Sequence, residues 1–253
     1  MNDSISLPYI LPSGGVYYNG EIPDGQVIIY PIRGEQEELL AGAGEENYTS
    51  VLRHLTGQLV KLPEKFVYLN LLITDWMALL LNIFALSYSP IITLRPTCPQ
   101  CRKTNSITKS IGELECVNIL PSSDPAQYRE PLAISPLPKS QDVLTVHRLR
   151  LRDLEIIENY QRQLKNSNQN PILTYTLAQQ IVSINGNGNL SDPDKMRWIR
   201  NALSSDLRFL RSEIQKSESG YDLRPTFVCP ACAFPIQVEL PLDFFRSFSA
   251  QTE

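Results

Sequence analysis

The chain has 253 residues, of which 42% are hydrophobic and 20% are charged, so it is long enough for one large or two small folded domains. This composition excludes wholesale disorder and a collagen-like fibre. A formal net charge of -4 argues against a protein that works mainly by coating phosphate backbones.

The first residues lack both a positively charged start and an unbroken apolar run, so the sequence predicts no signal peptide. We therefore expect the chain to fold in a reducing cytoplasm. Residues 1–46 are predicted to form an N-terminal arm of strands and turns that resembles a β-hairpin. Glycine and proline punctuate this arm, and two of its segments, Val16–Tyr18 and Val27–Tyr30, have the composition of strands.

Residues 47–90 are predicted to form a helical segment, whose first helix is broken at Pro63. The second helix begins near Thr74, whose hydroxyl can cap it, and ends before Pro90. Because this second helix is apolar on nearly every face but contains Asp75, we expect a central core helix rather than a membrane span. Asp75 falls in the first turn, where the helix dipole favours a negative charge.

The rest of the chain divides into four further segments. Residues 91–120 alternate apolar and polar side chains, as strands do, and 121–140 form a connector too rich in proline for a helix or a central strand. Residues 141–220 are predicted to hold a strand and several helices, and 221–253 return to strand composition and end in an aromatic C-terminus. The predicted strand is Val143–Leu151, and the predicted helices are Asp153–Lys165, Pro171–Ile184 and Asp192–Lys216, the last capped by Ser191.

Four of the five cysteines form two Cys-Pro-x-Cys pairs, Cys98/Cys101 and Cys229/Cys232. A tight Cys-x-x-Cys turn places two sulfurs on one side of the backbone, and two such turns complete the tetrahedron that Zn²⁺ prefers. Four thiolate ligands leave no open coordination position for water or substrate. The predicted zinc site is therefore structural and not catalytic.

The two pairs are separated by 127 residues, many more than the roughly 15 to 20 of a compact zinc ribbon. Both pairs nevertheless follow the same Leu-Arg-Pro-Thr segment, at Leu94–Thr97 and at Leu223–Thr226. The sequence thus predicts an α+β fold in which a helical body is inserted into a discontinuous four-cysteine zinc ribbon. Residues 91–120 supply the first half of the ribbon and residues 221–253 supply the second.

Other uses of these cysteines stay open at this point. An iron–sulfur cluster also accepts four cysteines, and the thiols can form disulfides or remain unligated. Separate redox dithiols are disfavoured because no thioredoxin-like βαβ pattern surrounds either pair. The fifth cysteine, Cys116, lies in an apolar strand and is expected to be a small buried hydrophobe.

The sequence holds no recognisable catalytic or cofactor-binding constellation, and we expect a protein that is not an enzyme. His54 and His147 lack a Cys or Ser partner motif, and His54 is expected on a solvated helix face. Arg148, Arg150 and Arg152 form a short basic stripe, which is predicted to face solvent or a partner. Because a zinc ribbon with basic residues can bind nucleic acid, a transcription-related protein is the alternative function.

Three sequence segments, taken in their order along the chain, carry a resemblance to a known family. The first is Leu11-Pro-Ser-Gly-Gly15, followed by a Tyr-rich strand, and the second is Thr74-Asp-Trp-Met-Ala-Leu-Leu-Leu-Asn-Ile-Phe-Ala-Leu-Ser-Tyr88, which leads to the first cysteine pair. The third is the second cysteine pair followed by Leu240-Pro-Leu-Asp-Phe-Phe245. In this order the segments resemble the baseplate hub and hub-assembly proteins of contractile-tailed, T-even-like phages. One departure is that Ser89 follows Tyr88, where the family usually has glycine.

The resemblance spans most of the chain and implies a non-enzymatic structural component, or an assembly factor, of a contractile phage tail or tail-like injection system. Its implied partners are other baseplate or tail proteins, such as hub, wedge, spike or tube, while nucleic acid and a membrane span are not expected. Its implied location is the virion tail or particle baseplate, after folding in the bacterial host cytoplasm. The N-terminal arm and the aromatic C-terminus are the segments expected to reach neighbours.

Overall fold

The fold is α+β, and the computed structural model describes residues 6–119, 128, 130–164 and 171–240. Residues 121–127 and 129 of the predicted connector and the aromatic C-terminus from residue 241 lie outside the described residues. The helices are α1 Gly34–Ala41, α2 Tyr48–Leu59, α3 Ile73–Ser87, α4 Leu151–Gln163, α5 Ile172–Gln180, α6 Asp192–Asn201 and α7 Ser204–Lys216. The strands are β1 Leu7–Ile10, β2 Gln26–Ile29, β3 Val60–Lys61, β4 Ile91–Leu94, β5 Ile107–Ser110, β6 Cys116–Val117, β7 Leu132–Ala133, β8 Leu144–Val146, β9 Ile181–Ile184, β10 Gly220–Tyr221, β11 Thr226–Val228 and β12 Pro235–Gln237.

The described strands form several small antiparallel sheets rather than one large sheet. Two sheets have three strands, in the orders β1-β2-β3 and β7-β8-β9. The other three are the pairs β4–β5, β6–β10 and β11–β12. The pair β6–β10 joins two segments far apart in the chain, since Gly220 lies opposite Val117 and Tyr221 opposite Cys116.

The N-terminal segment belongs to the main hydrophobic core. Strands β1 and β2 pair with each other, and the tyrosines Tyr17 and Tyr18 between them are each only 2% exposed. The prediction of a strand at Val16–Tyr18 is wrong, because these residues form a single 3-10 turn. Gly15, at φ 79°, allows this turn to pack closely, since a Cβ there would lie 2.2 Å from the carbonyl oxygen of Ile22. Residues 11–29 therefore pack into the main core and do not form a free arm.

Helix α3 is the central helix that its apolar sequence predicts, with Leu79, Leu81 and Phe84 fully buried. It begins at Ile73, however, and Thr74 does not cap it. None of the helices in the described ranges is both long enough and apolar enough to cross a bilayer.

Asp75 lies in the first turn of α3, as predicted, and is completely buried there. Its carboxylate accepts hydrogen bonds from the backbone N–H of Ser13, at 3.0 Å, and from the hydroxyl of Tyr18, at 2.5 Å. Burial raises the pKa of Asp75, although both hydrogen bonds favour the ionised form. The side chain therefore ties the N-terminal turn to the central helix in addition to lying near the helix dipole.

A second hydrophobic core forms within the inserted part of the chain, between the sheet β7-β8-β9 and helices α4 to α7. The helix predicted over Pro171–Ile184 ends at Gln180, because the β-branched residues that follow form β9 and pair with β8. The long helix predicted over Asp192–Lys216 is two helices, since Ala202 and Leu203 have extended backbone angles. Ser191 caps the first of these as predicted, by accepting a hydrogen bond from a backbone N–H.

The strand predicted over Val143–Leu151 pairs within its sheet only at Leu144–Val146. Its continuation instead hydrogen-bonds to the segment that precedes α3. The N–H of Ile73 donates to the carbonyl of Leu149 at 3.0 Å, and the N–H of Leu151 donates to the carbonyl of Leu71 at 2.9 Å. This extended segment therefore connects the two cores directly.

Glu130 forms a partly buried ionic junction where the two cores meet. One of its carboxylate oxygens accepts the backbone N–H of Arg148 at 2.8 Å, and the other pairs with the guanidinium of Arg150. The same guanidinium donates to the carbonyls of Asn70, at 2.7 Å, and of Tyr17, at 3.1 Å. Arg150 thus binds backbone groups of the first core while it neutralises Glu130.

Arg148 is only 5% exposed, so the prediction that the basic stripe faces solvent or a partner is wrong for this residue. Its guanidinium lies 3.8 Å from the centre of the Tyr17 ring, in a cation–π arrangement. Its Nε also donates to the carbonyl of Ser217 at 3.1 Å. Of the three arginines in the stripe, Arg152 alone is exposed.

Replacing Glu130 by Gln should lower the free energy of unfolding by about 3–5 kcal/mol, because both arginines would stay buried without their counter-charge. Urea denaturation followed by circular dichroism measures this loss. The matched control is Glu113→Gln, which removes an exposed pair with Lys109 at 3.2 Å and should cost about 0–1 kcal/mol. Equal losses in the two variants would contradict a stabilising role for the junction.

A pH-dependent contribution is expected from Asp206, whose buried carboxylate accepts the backbone N–H groups of Lys139 and Ser140, each at 2.9 Å. Burial by itself would raise the pKa of Asp206, but these hydrogen bonds hold it below its ordinary value. The stabilisation of the fold by the Asp206 carboxylate is therefore fully present above the pKa that Asp206 has in the unfolded chain, about 4. It is lost as the pH falls through the lower pKa that Asp206 has in the folded chain.

Asp206→Asn should therefore lower the melting temperature at pH 7, and its difference from the unmodified chain should shrink as the pH falls below about 4. Thermal denaturation at several pH values measures this difference, and any acid-induced loss of metal affects both proteins alike. Asp24→Asn, at an exposed position, is the control and should change little. A difference that is independent of pH would contradict the assignment.

Candidate metal centre

The two cysteine pairs lie at the tips of two β-hairpins with the same backbone pattern. In the first hairpin, between β4 and β5, the N–H of Cys98 donates to the carbonyl of Lys103 at 2.9 Å. In the second, between β11 and β12, the N–H of Cys229 donates to the carbonyl of Phe234 at 2.9 Å. In both, the first cysteine bonds to the residue five positions later, so we call them the knuckle hairpins.

A second hydrogen bond closes each turn in the same way. The N–H of Arg102 donates to the carbonyl of Cys98 at 2.9 Å, and the N–H of Ala233 donates to the carbonyl of Cys229 at 2.8 Å. Arg102 and Ala233 have matching left-handed backbone angles, with φ of 59° and 58°. Each turn thereby holds its two cysteine side chains towards the same side.

The two knuckle hairpins bring all four predicted sulfurs together, within 4.8 Å of one another. The Sγ atoms of Cys98 and Cys232 are 3.7 Å apart, and those of Cys101 and Cys229 are also 3.7 Å apart. A tetrahedral ion with metal–sulfur bonds of about 2.3 Å needs sulfurs about 3.8 Å apart, whereas a disulfide needs about 2.05 Å. The four sulfurs fit one metal ion, and none of them forms a disulfide.

The electrostatics of the cluster favour a bound cation. Burial would raise the pKa of Cys229, but backbone N–H groups of Ala231 and Cys232 favour its thiolate and the pKa falls to about 6. The N–H of Phe234 favours the thiolate of Cys232, yet burial and the adjacent sulfurs, including that of Cys101, raise its pKa to about 12. One thiolate thus hinders the ionisation of the next, and a divalent cation between them removes this conflict.

The centre is closed on one side and reached by solvent on the other. Cys98 and Cys229 are fully buried and pack on Ile236, while Cys101 is half-buried and Cys232 is exposed. With four sulfur ligands the ion would have no vacant position. The arrangement can therefore hold a metal ion such as zinc and join two parts of the chain, but it offers no place for a metal-activated water.

Sequence reasoning missed a buried neighbour of the cluster, Asn105. Its side-chain oxygen lies 3.6 Å from the Sγ of Cys229, and its side-chain nitrogen is 3.3 Å from the carbonyl of Lys103. The backbone N–H of Asn105 also donates to the carbonyl of Pro96, which places it in the first knuckle hairpin. A polar residue a few positions after a Cys-x-x-Cys pair was the available signal, and such neighbours orient metal ligands.

Gly220 is a second position whose role was not evident from the sequence. It has φ of 122°, and a Cβ there would lie 3.2 Å from the Cβ of Thr74 in α3. Glycine therefore lets β10 run close against the central helix. Through this contact the second knuckle hairpin is anchored to the main core.

The other residues considered for chemistry lie outside the cysteine cluster. Cys116 is half-buried rather than buried, and its Sγ lies 3.6 Å from the side-chain oxygen of Asn118. Burial raises its pKa, which disfavours a reactive thiolate. His54 is exposed on α2, as predicted, and His147 lies 3.7 Å from a carboxylate oxygen of Asp153.

Comparison with known proteins identifies no family for the chain. No protein-family model matches the sequence, and no curated protein and no solved structure is significantly similar to it.

The purified chain should carry one equivalent of metal, and Cys98→Ser should lose it. Loss of a structural metal is among the few single changes that cost more than about 4 kcal/mol, because the ion binds the folded state and not the unfolded one. Elemental analysis and chelator-induced unfolding measure the two effects. Cys116→Ser is the matched control and should keep its full metal content. Four thiols that react freely in the native protein, with less than about half an equivalent of metal, would contradict a metal centre.

Proposed function

We propose that the chain is a non-enzymatic structural protein or assembly factor of the baseplate of a contractile phage tail or tail-like injection system. It acts through protein–protein contacts, and a structural zinc ion in a discontinuous four-cysteine ribbon stabilises it. The proposal of a structural metal ion depends on one observation, the four cysteine sulfurs within 4.8 Å of one another. Together they would occupy all four coordination positions of a tetrahedral ion and leave none for a catalytic water.

Zinc is the ion that best fits this set of ligands. A tetrahedron of four sulfurs suits zinc or iron. The sulfur separation of 3.7 Å fits a single ion, whereas a multi-iron cluster would hold its cysteine sulfurs further apart. A lone iron would colour the protein and zinc would not, so the visible spectrum separates the two metals.

The baseplate assignment rests on the order of segments that resembles the hub and hub-assembly family. The partners proposed are the other baseplate or tail proteins, and the location proposed is the particle baseplate.

Nucleic-acid binding is less well supported, because Arg148 and Arg150 are used inside the protein and do not form a basic surface. Among the described residues, the exposed cations close to the cysteine pairs in sequence include Arg95, Arg102 and Lys103 on the first knuckle hairpin and Arg224 before the second. A protein that depended on phosphate contacts would bind duplex DNA with a steep salt dependence.

The first test follows the chain during particle assembly in the bacterium that encodes it. A structural subunit should sediment with purified particles, while an assembly factor should be found only with incomplete baseplates. Deletion should reduce the yield of complete particles, and a copy with Cys116→Ser should restore it, whereas a copy with Cys98→Ser should not. Normal particles from the deletion strain, with the chain in neither fraction, would overturn the proposal.

The second test separates the two proposed functions in solution. The purified, metal-loaded chain should bind a 20-base-pair DNA duplex no more tightly than about 10⁻⁴ M at physiological salt, the weak end of non-specific binding. Fluorescence anisotropy across a salt series measures the affinity and its slope. Submicromolar binding that weakens steeply with salt, and that is lost in Arg102→Glu, would favour the nucleic-acid alternative.

A further inference from the structure

An open groove of about 660 Å³ lies beside the candidate metal centre, and strands from both knuckle hairpins line it. One wall includes Ile107 and Lys109 of β5, and the other includes Thr226, Phe227 and Val228 of β11. Its volume falls within the about 300–1,000 Å³ of pockets that enclose small ligands, enough for a few residues of an extended peptide.

Each of these strands has an outer edge without a strand partner in the described part of the chain. There, β5 pairs only with β4, and β11 pairs only with β12. In an antiparallel pair, alternate residues direct their N–H and C=O groups towards the partner strand. On either side of β11, the carbonyl of Pro225 accepts the N–H of Val238, and the N–H of Cys229 donates to the carbonyl of Phe234. Residues 225, 227 and 229 therefore bond towards β12, and the main-chain N–H and C=O groups of Thr226 and Val228 point to the outer edge of β11.

The register of the first knuckle hairpin leads to the same result. The N–H of Ile111 donates to the carbonyl of Pro90, and the N–H of Asn105 donates to that of Pro96. Residues 107 and 109 therefore bond towards β4, and the main-chain groups of Thr108 point outwards. The outer edges of β5 and β11 both offer the unpaired main-chain groups that an added strand uses.

The groove combines exposed apolar side chains with an acidic rim. Val228, which precedes Cys229, is 66% exposed, and Phe227 is half-buried next to it. Three carboxylates line the groove, from Glu113, Glu115 and Asp222.

These carboxylates give the groove a negative charge. Lys109 is the basic residue in its lining, and it pairs with Glu113 at 3.2 Å. Within the described residues, Glu115 and Asp222 are left without a cation at ion-pair distance. A phosphate backbone is repelled by such a rim, whereas a segment carrying lysine or arginine is attracted.

We propose that this groove binds an extended, basic segment of a partner protein, which adds as a strand to the outer edge of β11. The main-chain groups of Thr226 and Val228 supply the strand pairing, and Val228 and Phe227 supply the apolar contact. Glu115 and Asp222 select basic side chains on the segment. This inference rests on the proposed function in assigning the protein to protein–protein contacts, and it names the surface and the chemistry of the partner.

The test uses the full metal-loaded chain and two capped hexapeptides, one of repeating Lys-Val and one of repeating Glu-Val. At low ionic strength the Lys-Val peptide should bind at least about ten times more tightly than the Glu-Val peptide. In its presence, hydrogen exchange at the amides of Thr226 and Val228 should slow. Equal affinities, binding of neither peptide below about 5 mM, or protection confined to other strands would overturn the proposal.

Charge reversal at the rim makes the test specific to the groove. Glu115→Lys should weaken binding of the Lys-Val peptide by about threefold to fivefold, because one exposed ion pair is worth up to about 1 kcal/mol. Glu239→Lys is the matched control, since Glu239 is exposed and does not line the groove, and it should change the affinity less than twofold. Equal losses of affinity in the two variants would show that binding depends only on the overall charge of the protein, and would overturn the proposal.

The outcome is separable from that of the proposed function. The peptide titration uses purified protein and does not depend on the particle that contains the chain. If the chain is absent from tail particles but binds the Lys-Val peptide selectively, the groove proposal is supported and the baseplate proposal is overturned. If the chain is present in particles but does not distinguish the two peptides, the baseplate proposal is supported and the groove proposal is overturned.

Discussion

Four cysteine sulfurs within 4.8 Å of one another cannot all be ionised unless a cation lies among them. The fold of the whole chain depends on this constraint, because 127 residues separate the two pairs of ligands. Closing so long a loop without compensation costs chain entropy. A metal ion bound by the four cysteines would supply that compensation in the folded state alone. The two knuckle hairpins, the groove between them and the strand pair β6–β10 would then all be stabilised by one centre.

A metal ion held by the four cysteines would fix where the inserted segment leaves the first knuckle hairpin and where it enters the second, but it would not orient the second core. That orientation comes from Glu130, Arg148 and Arg150, which bridge the two cores through charged and backbone hydrogen bonds. A buried ion pair adds little net stability compared with apolar packing, but the fold is strongly destabilised when one of the two charges is left without its partner. The junction therefore holds the two cores in the arrangement in which both arginines keep their counter-charge.

The features that the sequence predicted are those with local or chemically specific signals. The uniformly apolar run identified α3 as the central helix, and the repeated Cys-Pro-x-Cys pairs identified all four members of the cluster. The features it did not predict depend on distant partners. No glycine or proline marks the break at Ala202 and Leu203, and nothing near Arg148 indicates that Tyr17, some 130 positions earlier, lies under its guanidinium. The alternation over Val143–Leu151 predicted one strand, whereas only Leu144–Val146 is a strand and Leu151 begins α4. The partner of the residues between them, the segment that precedes α3, is distant in sequence and leaves no mark on the pattern.

The matching registers of the knuckle hairpins have a consequence for how the protein is made. The first knuckle hairpin can close as soon as residue 110 has been synthesised, whereas the second needs residue 237. At about 5–20 residues per second, the first pair of thiols waits about 6–25 s for its complement. Two nascent chains could join their half-sites during this interval, which is a form of domain swapping. If the second core folds during this interval, it returns the chain to β10, beside β6. The local concentration of the second pair of thiols then rises, and each chain is directed to complete its own centre.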